Sequence, residues 1–278
     1  MEKTRFITII NDCFDENVKA RLGTRVSSLF GISPTIIGVG GNLVSNNSHD
    51  PAEYQAAGCL IDTLDAANGE KGIILVNVAN RHGKGKKWPN GTPFGYFYIN
   101  DTLVISTIDG ITLSLVKKLR LINSIQLLDI PEVANKMAED KIISVVLAMQ
   151  IINTQFRSFE FQPRVAKWLV DGITVPAASY TLSHVPQVKS AIWYVDNFGN
   201  CKTTILPKEI EFENGKDINT NLGVFKCFTR LRDVPNGNKA LILGSSGYKN
   251  KRFIELVIQG KSAAKEFGLT PSSQVIFT

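Results

Sequence analysis

The chemically richest stretch of the sequence is a predicted turn in its C-terminal third. Residues 191–205 read AIWYVDNFGNCKTTI, in which two apolar, β-branched runs flank an Asn-Phe-Gly-Asn turn. Because Gly and Asn tolerate the positive φ of a tight turn, the pattern predicts a hairpin. Its tip would carry a carboxylate (Asp196), an aromatic ring (Phe198) and an amide (Asn200), which attract a cation, stack on a flat base and read a hydrogen-bonding edge. On these residues alone, a hairpin that only builds a sheet is the simpler interpretation.

A second carboxylate follows the first predicted strand. The apolar, β-branched run of residues 6–10 is typical of a buried strand in a parallel sheet, and Asn11 and Asp12 end it. Ligands of open parallel sheets bind just beyond the carboxyl ends of the strands, so Asp12 is well placed for a binding site. The alternative is that Asp12 caps the helix predicted over Glu16–Phe30.

Polar and basic residues follow the most strongly predicted strand, residues 72–78 (GIILVNV). The segment after it, residues 81–88, reads RHGKGKKW. Three interpretations of this segment are open: a solvated loop, a nucleic-acid contact through its cations and tryptophan, or a site in which Arg81 and His82 line the ligand. The pattern favours a solvated loop for the lysines and a site position for Asn80.

Composition limits the remaining classes of protein. The chain has 278 residues, 44% of them hydrophobic and 20% charged, which is ordinary for a globular protein with room for two domains. No apolar run approaches the ~20 residues of a membrane helix, and the N-terminus lacks the apolar core of a signal peptide, so we expect a cytoplasmic protein without a membrane partner.

The four cysteines and three histidines are dispersed, which predicts free thiols and no metal site. A net charge of +6 without a motif does not indicate a nucleic-acid partner.

The order of the predicted elements indicates an α/β N-terminal domain with a central, largely parallel sheet, plus a smaller mainly-β C-terminal domain. The first domain is predicted to cover residues 1–178 and the second residues 190–278. Residues 179–189, in a stretch rich in Gly, Pro and Ala, are the predicted linker.

Two further helices and one hairpin are predicted inside the first domain. Residues 51–67 have apolar residues at helical spacing, and Asn100-Asp101 is a turn signal between two alternating runs. Residues 113–128 read as an amphipathic helix. Its polar side carries Lys117, Lys118 and Arg120, which we interpret as a solvated face.

The motifs, taken in order, resemble the S-adenosylmethionine (SAM) hydroxide adenosyltransferase family, which includes the adenosine-forming SAM hydrolases and is related to the fluorinases and chlorinases. The Asp-x-Phe-Gly-Asn sequence beginning at Asp196, followed by Thr-Thr-Ile, is similar to the family signature. Further matches occur along both domains: Ala57-Gly58, Gly110, Phe161, Pro163, Ser246-Gly247, the strand of residues 254–258 and the Gly-Lys-Ser-Ala-Ala start at Gly260.

The resemblance implies a set of ligand-binding residues. In the family, the carboxylate at the end of the first strand holds the ribose hydroxyls, and this role falls on Asp12. Asp109 stands where the family has an asparagine. The complete binding set implied by the resemblance is Asp12, Asp109, Asp196, Phe198, Asn200, Ser245 and Ser246.

The catalytic positions of the family differ in this chain. In the related hydrolases an Asp, an Arg and a His are assigned to the attacking water, and the aligned residues here are Asn80, Lys87 and Phe156. A one-residue slip would align Ala79 and Lys86 instead. Asn has no basicity and Phe has neither a donor nor an acceptor, so the usual general base is missing from these positions. The candidate catalytic residues that replace this set are Asn80, Arg81, His82 and Lys87.

The resemblance supports two functions of different classes. The first is adenosyl transfer from SAM to water, hydroxide or another small nucleophile, giving adenosine and methionine, with SAM as substrate and no additional cofactor. The second is a catalytically inactive SAM- or adenosine-binding protein with a sensory or regulatory role. A halide-using enzyme is a remote third choice and nucleic-acid binding a fourth. By resemblance, we expect a homotrimer with its small-molecule sites between subunits.

Overall fold

The computed structural model describes residues 3–40, 51–78 and 92–277. The described elements of the N-terminal region are, in chain order, β1 (Phe6–Asn11), α1 (Glu16–Phe30), β2 (Thr35–Gly38), α2 (Pro51–Ala67), β3 (Gly72–Asn77), β4 (Phe94–Ile99), β5 (Thr102–Thr107), α3 (Ser114–Lys118), β6 (Ser124–Leu128), α4 (Ile130–Glu139), α5 (Val145–Asn153), α6 (Arg157–Glu160), α7 (Gln162–Val170) and β7 (Ala178–Thr181). Those of the C-terminal region are β8 (Ile192–Val195), β9 (Cys201–Thr203), β10 (Asp217–Thr220), β11 (Gly223–Phe228), β12 (Lys239–Tyr248), β13 (Lys251–Ile258) and α8 (Ala263–Phe267).

The N-terminal strands form a seven-stranded sheet in the order β2-β1-β3-β5-β4-β6-β7. The first four of these strands are parallel, and β4, β6 and β7 join antiparallel to their neighbours. One apolar cluster fills the space between this sheet and α2 and α3, and another packs α1, α4, α5 and α7 on the opposite face. Because both faces are covered, β1, β3 and β5 are almost continuously apolar, which is why their sequences predicted buried parallel strands.

The C-terminal strands form a separate six-stranded sheet in the order β10-β11-β12-β13-β9-β8. All of its strand pairs are antiparallel except β11 with β12. This sheet has its own apolar cluster, which includes Phe225, Ile254 and Leu256. The predicted fold class, an α/β domain followed by a smaller mainly-β domain, is confirmed.

The beginning of α1 decides between two roles for Asp12. The N-cap of this helix is Asp15, whose carboxylate accepts a hydrogen bond of 3.0 Å from the backbone N–H of Val18. Gly31, in the left-handed conformation with a φ of 68°, ends the helix. The interpretation of Asp12 as the helix cap is therefore wrong, and its carboxylate lies three residues earlier, at the end of β1.

The helix predicted over residues 113–128 is wrong for most of its length. The structure has only the short α3 there, and the chain then continues into β6. Arg120 takes a φ of 51°, a left-handed conformation that a continuing α-helix does not allow. The pattern of apolar residues at helical spacing arises because both α3 and β6 bury apolar side chains in the same cluster.

The stretch predicted as a linker begins inside the first sheet. β7 pairs with β6 through residues 178–181, and a short 3-10 helix, Leu182–His184, follows it. The domain boundaries themselves stay a prediction. Within the described ranges, no helix combines the length and the apolar character needed to cross a membrane.

Helix α2 joins the two regions of the chain. Gly58 lies so close to the indole of Trp193 that a Cβ added to it would come within 2.1 Å of the ring. One turn further on, the Asp62 carboxylate accepts hydrogen bonds from the Ser246 hydroxyl (2.8 Å) and the Gly247 backbone N–H (3.0 Å). The last turn adds an ion pair of 2.7 Å between Asp65 and Arg252. This helix therefore belongs to the core of the first domain and also forms its contact with the second.

Candidate functional site

The carboxyl edge of the parallel strands gathers polar side chains. Asn11 and Asn77 end the paired strands β1 and β3 in register, and the Asn77 side-chain amide donates to the Asn11 Oδ1 atom at 2.8 Å. The same amide lies 3.4 Å from the Asp12 Oδ1 atom, and the Asp12 backbone N–H donates to the Asn77 carbonyl at 3.1 Å. Asp12, which is half-buried, is thus positioned by the neighbouring strand. The role of Asn77 was missed from the sequence, although a polar residue at the end of an apolar strand was the signal available.

Asn11 adds a buried donor to this edge. Its side chain is fully buried, and its Nδ2 atom has no hydrogen-bond partner among the described residues. Burying an amide donor without a partner costs free energy, so such groups are uncommon and often occur at sites that receive a ligand or a water. The carboxyl edge of β1 therefore has both a negatively charged acceptor and a free donor.

Asp109 lies at the same edge of the sheet, one strand beyond Asn77. It follows β5, and the Thr107 hydroxyl of that strand accepts a hydrogen bond of 3.1 Å from the Val78 backbone N–H. Adjacent strands are about 4.8 Å apart, so the ends of β1 and β5 are separated by roughly 10 Å. The next residue, Gly110, has a φ of 65° and lies against the buried Glu53 carboxylate, which leaves no room for a side chain.

The four candidate catalytic residues, Asn80, Arg81, His82 and Lys87, lie outside the described residues, as do the alternative positions Ala79 and Lys86. They connect β3, which ends beside Asp12, to β4. Their assignment stays a prediction from the sequence.

Phe156, which aligns with the catalytic histidine of the related hydrolases, has a packing role. Its ring stacks on Phe159 with centroids 5.4 Å apart, and the Arg21 guanidinium lies 5.1 Å from the Phe156 centroid. Arg25 lies 4.1 Å from the Phe159 ring and forms an ion pair of 3.1 Å with the buried Glu160. An aromatic and cationic cluster that stabilises α1 against α6 therefore occupies this position, and the Phe156 side chain holds no group able to transfer a proton.

The hairpin predicted around Asn197-Phe198-Gly199-Asn200 is present as β8 and β9. The Asp196 carboxylate accepts hydrogen bonds of 2.9 Å from the backbone N–H groups of Phe198 and Asn200 and from the Asn200 side-chain amide. Gly199 has a φ of 86°, and the Ser262 hydroxyl would lie 2.0 Å from a Cβ at this position. Asp196 thus determines the shape of the turn.

The turn presents an aromatic side chain to an open cleft. Phe198 is 73% exposed. Together with Asn200 it lines a cleft of about 510 Å³, whose other wall includes Leu231 and residues 258–262. An exposed aromatic ring beside an amide is suited to stacking on a flat heterocycle and bonding its edge.

The two serines of the predicted binding set lie elsewhere. Both belong to β12, where a register shift occurs between Leu243 and Gly247. The Ser246 hydroxyl is buried, donates to Asp62 and accepts a hydrogen bond of 2.6 Å from the Lys202 ammonium. The Ser245 backbone N–H donates to Glu255 at 3.3 Å, and burial raises the pKa of that carboxyl. Ser246 is therefore part of the domain contact in this chain.

A pocket of about 410 Å³ adjoins this contact between α2 and the β8–β9 hairpin. Cys59, Asp62, Trp193 and Lys202 are among its lining residues, and the Lys202 ammonium lies 5.5 Å from the Trp193 ring. Burial raises the pKa of the Cys59 thiol to about 12, and the nearby Asp62 carboxylate acts in the same direction. A thiol in this environment is a structural group, because the thiolate is the nucleophilic form.

We expect Cys59 to react slowly with iodoacetamide in the folded protein. With a pKa of about 12, roughly one thiol in ten thousand is ionised at pH 8, against about a quarter for an ordinary cysteine. Mass spectrometry of the peptide containing Cys59, after timed alkylation at pH 8, measures this rate. The same reaction in denaturant is the control and should be at least a hundredfold faster; equal rates in both conditions would contradict the expectation.

No group of three or more His, Cys, Asp or Glu side chains able to hold a metal ion occurs in the part of the chain that the structure describes. The polar groups at the carboxyl edge are carboxylates, which accept hydrogen bonds, and amides, which donate and accept them. Their arrangement is suited to hydrogen-bonding the hydroxyl groups of a small molecule.

Comparison with known proteins identifies the class. Residues 190–276 match the family described as the SAM hydroxide adenosyltransferase C-terminal domain. The C-terminal region is therefore of the SAM hydroxide adenosyltransferase type, and the resemblance predicted from the motifs of that region is confirmed. No curated protein has a significant sequence match to the chain.

Solved structures support the fold over nearly the full length. An uncharacterized conserved protein from Thermotoga maritima is similar to 98% of this chain and 100% of its own, with 15% identity and a TM-score of 0.65. A conserved hypothetical protein from Thermus thermophilus is similar to 99% of this chain and 100% of its own, with 15% identity and a TM-score of 0.59. At this identity the likeness shows a common fold.

Proposed function

We propose that this protein binds SAM and transfers its adenosyl group to water or another small nucleophile. The observation that carries the proposal is the position of Asp12 at the carboxyl edge of β1, beside Asn77, in a chain whose C-terminal domain is of the SAM hydroxide adenosyltransferase type. A carboxylate there can accept hydrogen bonds from two vicinal ribose hydroxyls, which is the role that the family resemblance gives to this residue.

The reaction that we propose is a displacement at the ribose C5′ carbon. A C5′–O bond forms as the C5′–S bond breaks, and the electron pair of the broken bond goes to the sulfur, so the sulfonium leaves as neutral methionine. When water is the nucleophile, adenosine and one proton are the other products. Because the sulfonium is already a good leaving group, catalysis depends mainly on holding the nucleophile in line and on removing its proton.

A second candidate function is supported by a specific observation. Phe156 occupies the position of the family's histidine and is stacked against Phe159 beneath Arg21, so it supplies no base. Losing a general base typically lowers a rate by ~10²–10⁴-fold. The second candidate is therefore a SAM- or adenosine-binding protein that does not turn its ligand over.

One incubation separates the two candidates. Purified protein is mixed with SAM in water enriched in ¹⁸O, alongside a protein-free control. Adenosine and methionine are then separated by chromatography, and their masses are measured by mass spectrometry. Adenosine that carries ¹⁸O supports hydrolysis by attack at C5′. Calorimetric binding of SAM without any product supports the second candidate, and neither binding nor product overturns both.

We expect Asp12→Ala to weaken SAM binding about 10- to 100-fold, because hydrogen bonds to a charged group contribute roughly 1.5–3 kcal/mol each. Titration calorimetry measures the affinity and the thermal midpoint tests the fold. Asp171→Ala is the matched control, since Asp171 is exposed and forms a surface ion pair with Lys167. Equal affinities of the two variants would contradict a ribose-binding role.

His82→Ala tests whether His82 acts as the general base in place of the catalytic residues that the family has and this chain lacks. If His82 removes the proton of the nucleophile, the variant should lose about 10²–10⁴-fold in turnover and keep its affinity for SAM. Unchanged turnover would assign the proton transfer elsewhere, and Arg81 and Lys87 would be replaced next.

A further inference from the structure

A basic cavity lies beside α3, where the two regions of the chain meet. Its volume is about 380 Å³, and its lining includes Ser114, Lys117, Lys118, Arg120, Gln187 and Glu209. Three of these side chains are cationic and one is anionic. The sequence had suggested a solvated face for the same three cations, but the structure places them around a concavity.

The two lysines are held in place by the protein and keep donors to spare. The Lys117 ammonium donates to the backbone carbonyls of Ser183 and Val185. The Lys118 ammonium donates to the Thr204 carbonyl at 2.6 Å and lies 2.7 Å from the Glu209 carboxylate. Since an ammonium has three N–H groups, each lysine retains one for a ligand, and its charge is already fixed at the cavity wall.

Ser114 provides a buried hydroxyl without a partner. The residue is 1% exposed, lines the cavity, and its Oγ atom has no hydrogen bond among the described residues. A buried hydroxyl without a partner is destabilising by about 1–3 kcal/mol, and a hydrogen bond from a water or a ligand removes this cost. An acceptor atom of a ligand inside the cavity would do so.

Arg120 completes the cavity at its rim. Arg120 is exposed, and it forms no ion pair in the part of the chain that the structure describes. Its φ of 51° is a conformation that a residue with a Cβ adopts at some cost in free energy. A second cavity of about 410 Å³ shares Lys118 and Arg120 and adds Lys208 and Lys251, which extends the positive charge outward.

We propose that this cavity binds the phosphate group of a small molecule. The two anchored ammonium groups and the Arg120 guanidinium, set against one carboxylate, balance the charge of a phosphate dianion. The phosphate oxygens can accept hydrogen bonds from these three cations and from the Ser114 hydroxyl. A concave site with a buried donor favours a compact anion over a nucleic-acid strand, which is bound by grooves with aromatic rings for base stacking. The proposal does not depend on the SAM site.

Titration calorimetry of the full chain with inorganic phosphate, in a buffer free of sulfate and phosphate, tests the proposal. We expect saturable binding at one site per chain, weakened about tenfold or more by Arg120→Ala and severalfold by Ser114→Ala. Ser114→Ala removes a hydroxyl that has no partner among the described residues, so the thermal midpoint should not fall and lost affinity cannot be attributed to misfolding.

Arg232→Ala is the matched control, because it also removes one exposed arginine but lies in a short 3-10 helix of the other domain, Leu231–Asp233. It should bind phosphate like the unmodified protein.

A parallel titration with glycerol phosphate shows whether the ligand is a phosphate ester or the free anion. Tighter binding than that of inorganic phosphate indicates an ester, and equal binding indicates the free anion. Affinities of Arg120→Ala and Ser114→Ala equal to that of the control would overturn the proposal. The proposal would also be overturned if the unmodified protein did not bind phosphate but bound single-stranded oligonucleotides more tightly as their length increased.

Discussion

Replacing Gly58 by alanine is expected to lower the free energy of unfolding by about 3 kcal/mol. The new Cβ would lie 2.1 Å from Cε3 and 2.2 Å from Cδ2 of Trp193, well inside van der Waals contact. The indole cannot move aside, because it is 2% exposed and packs with Tyr54 and Ile111. Since this contact joins α2 to β8, the change should weaken the packing of the two domains. Denaturant-induced unfolding measures the difference.

Gly23→Ala is the matched control for this prediction. Gly23 lies within α1, and a Cβ there would meet only the Ile36 side chain, at an ordinary 3.9 Å. Because alanine favours a helix over glycine by about 1 kcal/mol, this variant should be more stable than the unmodified protein. Opposite signs for the two glycine substitutions are the expected result. A Gly58→Ala protein as stable as Gly23→Ala would show that the indole does not restrict this position.

Replacing Asp196 by alanine is expected to weaken SAM binding about 10- to 100-fold and to lower the free energy of unfolding by about 2–4 kcal/mol. The carboxylate accepts three hydrogen bonds inside the turn, so its loss leaves the Phe198 ring and the Asn200 amide without a fixed orientation. Both side chains line the cleft beside the turn, and a ligand there would have to order them on binding. Calorimetry with SAM, with the thermal midpoint measured alongside, separates the two effects.

Two further variants make this result specific. Asp196→Asn keeps one carbonyl oxygen for the backbone N–H groups but turns an amide toward the Asn200 amide, so its affinity should fall between those of the alanine variant and the unmodified protein. Asp217→Ala removes an exposed carboxylate in the same domain, which pairs with Lys226 at the surface. If it weakened SAM binding as much as Asp196→Ala, net charge would be the cause and not the order of the turn.

Much of the fold could be predicted because local patterns determine it. Apolar, β-branched runs identified β1 and β3, and the turn at Asn100, with a φ of 50°, correctly connected β4 to β5. The errors also have local causes. A left-handed Arg120 ends α3 early, and Asp15 caps α1 where Asp12 had been the alternative.

The site was predictable only in part. The position of Asp12 follows from the rule that parallel sheets bind ligands at their carboxyl edge. The hydrogen bond between Ser246 and Asp62 could not be predicted from the sequence, because the two residues are 184 positions apart and no local pattern indicates their contact. The cluster of Phe156 with Phe159 and Arg21 depends in the same way on the packing of α6 against α1, which spacing along the chain does not indicate.

The position of α2 between the domains has a consequence for synthesis of the chain. The partners of Asp62 and Asp65 follow them by 184 and 187 residues, so they leave the ribosome long after α2 does. Until then, the Asp62 and Asp65 carboxylates of α2 lack these partners. Contacts of such sequence separation form slowly, because a long loop must close before they contribute. Docking of the completed C-terminal sheet onto this helix is therefore a late event in folding. A nascent chain that stops before β12 leaves part of α2 uncovered and able to associate with other chains.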